Sequence, residues 1–275
     1  MGDFSSEIIS QVDRGWISKL LDSGKRVDGR KFDEYRPIEI ELDPVAEKAE
    51  GSAIVRMGNT TVIAGVKVIL GEPYPDRPTD GVTIVTAEMT PVASPMFEPG
   101  PPREDAIELA RVVDRGVRES ETVDASELCI EPGKKVYMVF CDVYPLEYDG
   151  NLFDSSSLAV NAALKRAEYD EYAWEDGKAV KTGEKKKLPL KNMALELTVS
   201  NIGPHMVIDP TLKEEFVQDS RLTMAIDKDD NFAAIQKGGG IGPITLDQVD
   251  RAMGMALDRV EDLRDILDEA LEEGE

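Results

Sequence analysis

EGSAIVRMGNTTVIAGVKV, residues Glu50 to Val68, sets Val, Ile, Thr and Ala on either side of Gly58-Asn59. Runs rich in β-branched residues and broken by a Gly-Asn pair predict two strands joined as a hairpin, Ser52 to Met57 and Thr61 to Leu70. The same composition extends outward, to Pro37 to Leu42 before the pair and to Val82 to Thr90 after it, with the Pro-rich residues 71 to 81 between. Hairpin-like connections between such runs predict an antiparallel sheet.

Upstream, residues 6 to 22 read as an amphipathic helix with Ile8, Val12, Trp16 and Leu20 at helical spacing and Gly24 placed to end it. A turn-rich RVDGR follows at Arg26 to Arg30. Downstream, the Pro-rich stretch Pro95 to Pro102 cannot be helical and leads into REDAIELARVVDRGVRES, Arg103 to Ser120. Ile107, Ala110, Val113 and Val117 mark one face of that helix, and Arg111, Arg115 and Arg118 mark another. Lys135 to Leu146 is a further strand, Asp154 to Tyr169 a helix of small residues, and the polar Asp170 to Lys187 a loop or boundary.

Beyond it, Ala194 to Ser200, His205 to Ile208, Leu222 to Asp227 and Phe232 to Lys237 predict a second sheet. Thr245 with Gln248 forms a capping box for a long last helix. Val249, Met253, Ala256, Val260, Leu263, Leu267 and Ala270 give that helix a continuous apolar stripe, which core packing or a partner must cover. Strands then helices, twice over, predict an α+β protein of two related halves rather than a doubly wound parallel sheet. The expected divisions are a helix and turn over 1–30, a first half over 31–187 and a second over 188–275.

Composition narrows the function classes. The chain has 275 residues, 41% of them apolar, which supports an ordered core. Only Cys129 and Cys141 are present, too few for a disulfide framework, and no ligand-spaced histidines accompany them. With neither a signal-peptide pattern nor an apolar run of bilayer length, the expectation is a cytoplasmic protein with no membrane association. A formal charge of -23 argues against sequence-independent coating of nucleic acid and leaves room for a local basic patch. His205, the single histidine, reads as structural, and Gly238 to Gly242 lacks the Lys-Ser or Lys-Thr of a nucleotide loop and reads as a tight turn. The acids Asp227, Asp229 and Asp230 lack the continuation of a calcium loop, so neither a metal nor a cofactor is expected.

Five segments together carry a family resemblance: RVDGRKFDEYRPIEIE from Arg26, the opening stretch from Glu50, PGPPREDAIELARVVDRGVRES from Pro99, CDVYPLEYDGNLFDSSSLAVNAAL from Cys141, and DPTLKEEFVQDSRLTMAID from Asp209. In this order and separation they resemble the RNase PH family, and the last three are most similar to the non-catalytic subunit of the archaeal exosome. The resemblance implies two βαβα-type halves of the ribosomal protein S5 domain 2-like kind. It also implies a trimer of heterodimers with a homologous catalytic subunit, forming a hexameric ring with RNA-binding cap subunits that handles single-stranded RNA. In catalytic relatives an arginine grips phosphate where this chain has Leu152, and two aspartates stand where it has Glu215 and Arg221. A leucine binds no phosphate, and Arg221 reverses a charge. An alignment shifted by two residues would pair Glu215 with Asp219 instead, leaving a self-sufficient phosphorolytic nuclease as the alternative. By the same resemblance, Arg111 and Arg115 face the RNA path, where guanidinium groups suit phosphates.

Overall fold

The computed structural model describes residues 4–274, with side chains described from Asp13 onward. The chain opens with α1 (Phe4–Asp22), which ends before Gly24 in the left-handed region at φ 75°. Ile8 and Val12 lie outside the described side chains. Trp16, expected on the packed face, is 48% exposed, and Ile17 and Leu21 are the buried residues instead, packed on Ile202, Val207 and Val217. The apolar arc is rotated by one residue from the expected one.

The first sheet holds β1 (Ile38–Leu42), β2 (Gly51–Met57), β3 (Thr60–Gly71) and β4 (Val82–Ala87), then, after α2 (Glu104–Glu119), β5 (Cys129–Glu131) and β6 (Lys135–Glu147). Their order is β1-β2-β3-β6-β4, with β5 beside β6. Most pairs are antiparallel, but β4 runs parallel to β6, which corrects the purely antiparallel expectation. The chain returns from β4 to β6 by way of α2, and a helical crossover is the connection that permits a parallel pair.

α2 buries Ala106, Leu109, Val112, Val113, Gly116 and Val117. Ile107, expected in the core, is 46% exposed, because the buried arc follows 106, 109, 113 and 117. α3 (Leu152–Arg166) crosses behind β2 and β3 and is buried along almost its whole length, its serines and alanines permitting close approach. It stops at Arg166 rather than reaching Tyr169, whose ring packs edge-on against Tyr137 at 4.7 Å. Tyr169 belongs to β7 (Glu168–Glu175), which pairs with β8 (Lys178–Lys187) in a separate two-stranded ribbon. The expected loop over 170 to 187 is therefore a hairpin. Asp176 and Gly177 turn it with φ of 49° and 80°, the paired positive angles of a two-residue hairpin turn.

The second sheet has β9 (Leu195–Ile202), β10 (His205–Ile208), then α4 (Leu212–Val217), β11 (Ser220–Ile226) and β12 (Phe232–Gly238), in the order β10-β9-β11-β12. Thr245 and Gln248 form the expected capping box of α5 (Leu246–Glu273). That helix buries Ala252, Ala256, Val260, Leu263 and Leu267 against β9, β11 and β1, so the core covers its stripe. One continuous apolar cluster runs from Val62 and Val139 in the first sheet through Leu158 of α3 to Leu197 and Met224 in the second. The two sheet-and-helix groups thus share a core.

Candidate functional site

The seam between the halves is polar, and Asp209 is its hub. Asp209 follows β10 in a left-handed conformation, φ 48°, and its side chain is fully buried. Its carboxylate accepts hydrogen bonds from Arg36 Nε at 2.8 Å, Arg36 Nη2 at 2.6 Å, the Arg36 backbone N–H at 2.9 Å, Arg30 Nη1 at 2.8 Å and Asn151 Nδ2 at 2.9 Å. Burial alone would raise this carboxyl, but the Arg36 hydrogen bonds and charge, with Arg30 behind them, hold it below the usual range. Arg36 also donates to the carbonyls of Asp149 and Gly150. Gly150 sits at φ 92°, and a Cβ there would run into the Pro210 backbone, so the 149–151 turn and the 209–212 turn lie against one another.

Arg26 closes the same seam from the other side. Fully buried, it pairs with Glu214 through Nε to Oε1 at 3.0 Å and Nη2 to Oε2 at 2.6 Å, and it donates to the Ile208 and Asp209 carbonyls. The RVDGR segment and Arg36 are thus structural clamps, a role the sequence reading did not give them. Glu214 in turn completes a capping box with Thr211 at the start of α4. That Thr-x-x-Glu signature was present in the sequence and would have located this short helix.

Leu152, Glu215 and Arg221 all lie at or against the start of α3. Leu152, the position where the family resemblance led one to expect an arginine, begins α3 and is buried in the core. Glu215 turns toward the same helix start, where its Oε1 accepts from the Asn151 backbone N–H at 2.8 Å and its Oε2 from Tyr148 Oη at 2.6 Å. Burial raises the Glu215 carboxyl, while the bonds from Tyr148 and Asn151 and the charge of Arg221 oppose the rise. A carboxylate thus fills the end of α3, a position whose partial positive charge favours anions. Arg221 lies over the Phe153 ring at 4.3 Å, with Nη2 2.7 Å from Glu108 Oε1.

Asp219, the other acid the sequence offered, faces elsewhere. It accepts from the Gly203 N–H at 2.7 Å and pairs with Arg14, sharing neither partner with Glu215. The structure does not bring the two acids into one constellation. Asp154 is one buried carboxyl that sequence reasoning missed. Desolvation pushes it up to about 6 against hydrogen bonds from Asn151, Thr198 and Tyr35. His205 pairs with Asp22 at 2.8 Å and packs edge-on against Phe32, fixing the end of α1. Gly239 and Gly240 adopt positive φ around the Asp219 backbone, and Gly242 N–H donates to its carbonyl, a tight turn. Asp227 accepts from the Asp229 and Asn231 N–H groups and closes the β11–β12 turn. No metal-ligating cluster occurs among the described residues.

The α2 arginines divide. Arg111 is exposed, with no hydrogen bond or ion pair among the described residues, and it opens onto a cleft of about 1110 Å³ beside β4. Arg115 is half-buried and donates to Gln236 Oε1 of β12 at 3.0 Å. Arg118 pairs with Asp114 at 3.4 Å. Glu108, Arg111 and Arg115 share one stripe about 60° wide at 100° per residue.

Comparison with known proteins agrees with this architecture. The 3' exoribonuclease family, domain 1, matches residues 34–170, and domain 2 of the same family matches residues 192–259. An exosome complex component Rrp42 from Thermococcus gammatolerans is 49% identical over 96% of this chain and 97% of its own. Its counterpart from Methanocella arvoryzae is 47% identical over 96% and 98%. Among solved structures, a chain of the Archaeoglobus fulgidus exosome with RNA bound to the active site superposes with a TM-score of 0.85 at 44% identity, covering 94% of this chain and 98% of that one. A chain of an archaeal exosome core gives 0.84 at 40% identity over 96% and 100%. No helix among the described residues is long and apolar enough to cross a membrane.

Proposed function

Because the chain belongs to the RNase PH family of 3' exoribonucleases, we propose that it is a non-catalytic component of an archaeal-type exosome, an RNA-degrading 3'-to-5' phosphorolytic complex. It alternates with a homologous catalytic subunit as a trimer of heterodimers in a hexameric ring that carries RNA-binding cap subunits, and it acts in the cytoplasm. Its two tasks there are to shape the partner's active site across their interface and to hold single-stranded RNA through Arg111 and Arg115.

The observation that carries this reading is the state of the degenerate site. Phosphorolysis needs a cation beside the terminal linkage and acids near the leaving oxygen. Here Leu152 is core packing, and the one retained carboxylate, Glu215, is spent on the start of α3 and on Tyr148. The self-sufficient nuclease gains no support from the geometry, since Glu215 and Asp219 have separate partners. Arg111 has no protein partner among the described residues, which leaves its guanidinium able to bind a phosphate through two hydrogen bonds.

Native mass spectrometry of the chain co-expressed with an RNase PH-like partner should give equal numbers of the two subunits at the mass of a hexamer. A monomer or homodimer in the presence of that partner contradicts the assembly. Changing Arg111 and Arg115 together to Glu should leave the ring intact and weaken RNA binding. Changing both to Ala should flatten the salt dependence of binding by roughly 0.7 log units for each lost phosphate contact. Lys178→Glu on the β7–β8 hairpin is the matched control, and binding should not change.

A further inference from the structure

Arg221 is a buried cation whose hydrogen bonding is incomplete. Its side chain is 10% exposed, and its Nε and Nη2 donors are buried with no hydrogen-bond acceptor. Glu108 Oε1 stands 2.7 Å from Nη2, close enough for an ion pair but misaligned for a hydrogen bond. Leaving such donors unmade is costly, and native structures rarely do so without a reason. The ring of Phe153, 4.3 Å below the guanidinium, holds the plane of the group and offers no acceptor.

Two further features surround the same edge of the guanidinium. β12 ends there at Gly238, where a Cβ would come within 2.7 Å of both Arg221 Nη2 and Glu108 Oε1, so glycine is what lets the pair sit directly against the strand. Glu108 is itself 36% exposed and begins the α2 stripe that continues through Arg111 and Arg115. Arg115 is held toward the same strand by Gln236, two residues before Gly238. Arg115 and Arg221 therefore both border β12, with Glu108 as a carboxylate between α2 and Arg221.

We propose that Arg221 is a phosphate-binding residue for the RNA backbone, held by Glu108 until RNA arrives. An RNA phosphate takes the two unmade donors, and the Glu108 side chain swings to solvent. The replacement of an acid by Arg221 is on this account a gained contact as well as a lost catalytic group. This rests on the exosome reading above and assigns one more residue of its RNA path.

The test uses the reconstituted ring without inorganic phosphate, so that RNA is bound and not degraded, and reads the anisotropy of a labelled single-stranded RNA across a salt series. Arg221→Met should weaken binding roughly tenfold and flatten the salt slope by roughly 0.7 log units, with assembly verified by native mass. Glu108→Gln, a substitution at a partly exposed position, should tighten binding in the wild-type background and change nothing when Arg221 is already Met. A ring that binds RNA with an unchanged slope in both single variants overturns the assignment, even if the variants melt at a different temperature, since a purely structural ion pair behaves that way. Inorganic phosphate that competes with RNA on the wild-type ring and not on the Arg221→Met ring would make this a free-phosphate site and equally overturn it. If the wild-type ring fails to form or to bind RNA, the failure is that of the exosome reading.

Discussion

Asp209 concentrates the residue-scale energetics, because it answers the buried Arg36, the half-buried Arg30 and an asparagine with one carboxylate. Asp209→Asn removes the buried carboxylate that Arg36 pairs with, and urea unfolding should register a loss of about 3–5 kcal/mol. A second buried acid gives a pH-dependent prediction. Glu196 lies against Gly116 of α2, its Oε2 has no partner, and burial holds its carboxyl well above the usual range, with the Asp154 charge adding to the rise. A raised folded pKa means that the native state keeps its proton longer, so this group's contribution is complete below the unfolded value and is lost as pH rises above it. Glu196→Gln should therefore gain stability relative to the wild type at pH 8 and gain less at pH 4, as urea midpoints at the two values will report. Neither acid was legible as a hub in the sequence. Asp209 entered there only as the first residue of a family segment and Glu196 not at all, because burial and partners forty or more residues away decide both roles.

Strand composition and helix caps made most elements readable, since Val, Ile and Thr runs and the Thr245 box act locally. The misreadings arose where local polarity was uninformative. β8 is built almost wholly of exposed polar residues, and its lysines pair across to Asp170 and Glu171 of β7 instead of a core. Asp176-Gly177 was the available hairpin signal. On α1 and α2 the spacing was right but the phase was wrong, because several helical arcs satisfy the same apolar residues until a neighbour selects one. Leu21 tests the α1 phase. Leu21→Ala should cost about 2–5 kcal/mol and expose α1 to limited proteolysis, whereas Trp16→Ala, at an exposed position, should leave both nearly unchanged.

For the whole molecule, the sequence pointed to two sheet-and-helix groups, and they are present, joined by one core and a seam of buried ion pairs. The fold is thus kept in a chain that buries a leucine at position 152, and Arg111 stands exposed on a molecule of formal charge -23. Leu152 and Arg221 were visible as departures from the family pattern. What was not visible is that Glu215 already caps α3, so restoring one arginine would set it against an occupied site. The most direct test is phosphate-dependent release of nucleoside diphosphates from single-stranded RNA by the purified chain without any partner. The account predicts no release by the wild type and none by Leu152→Arg; turnover by the unaccompanied wild-type chain would contradict it.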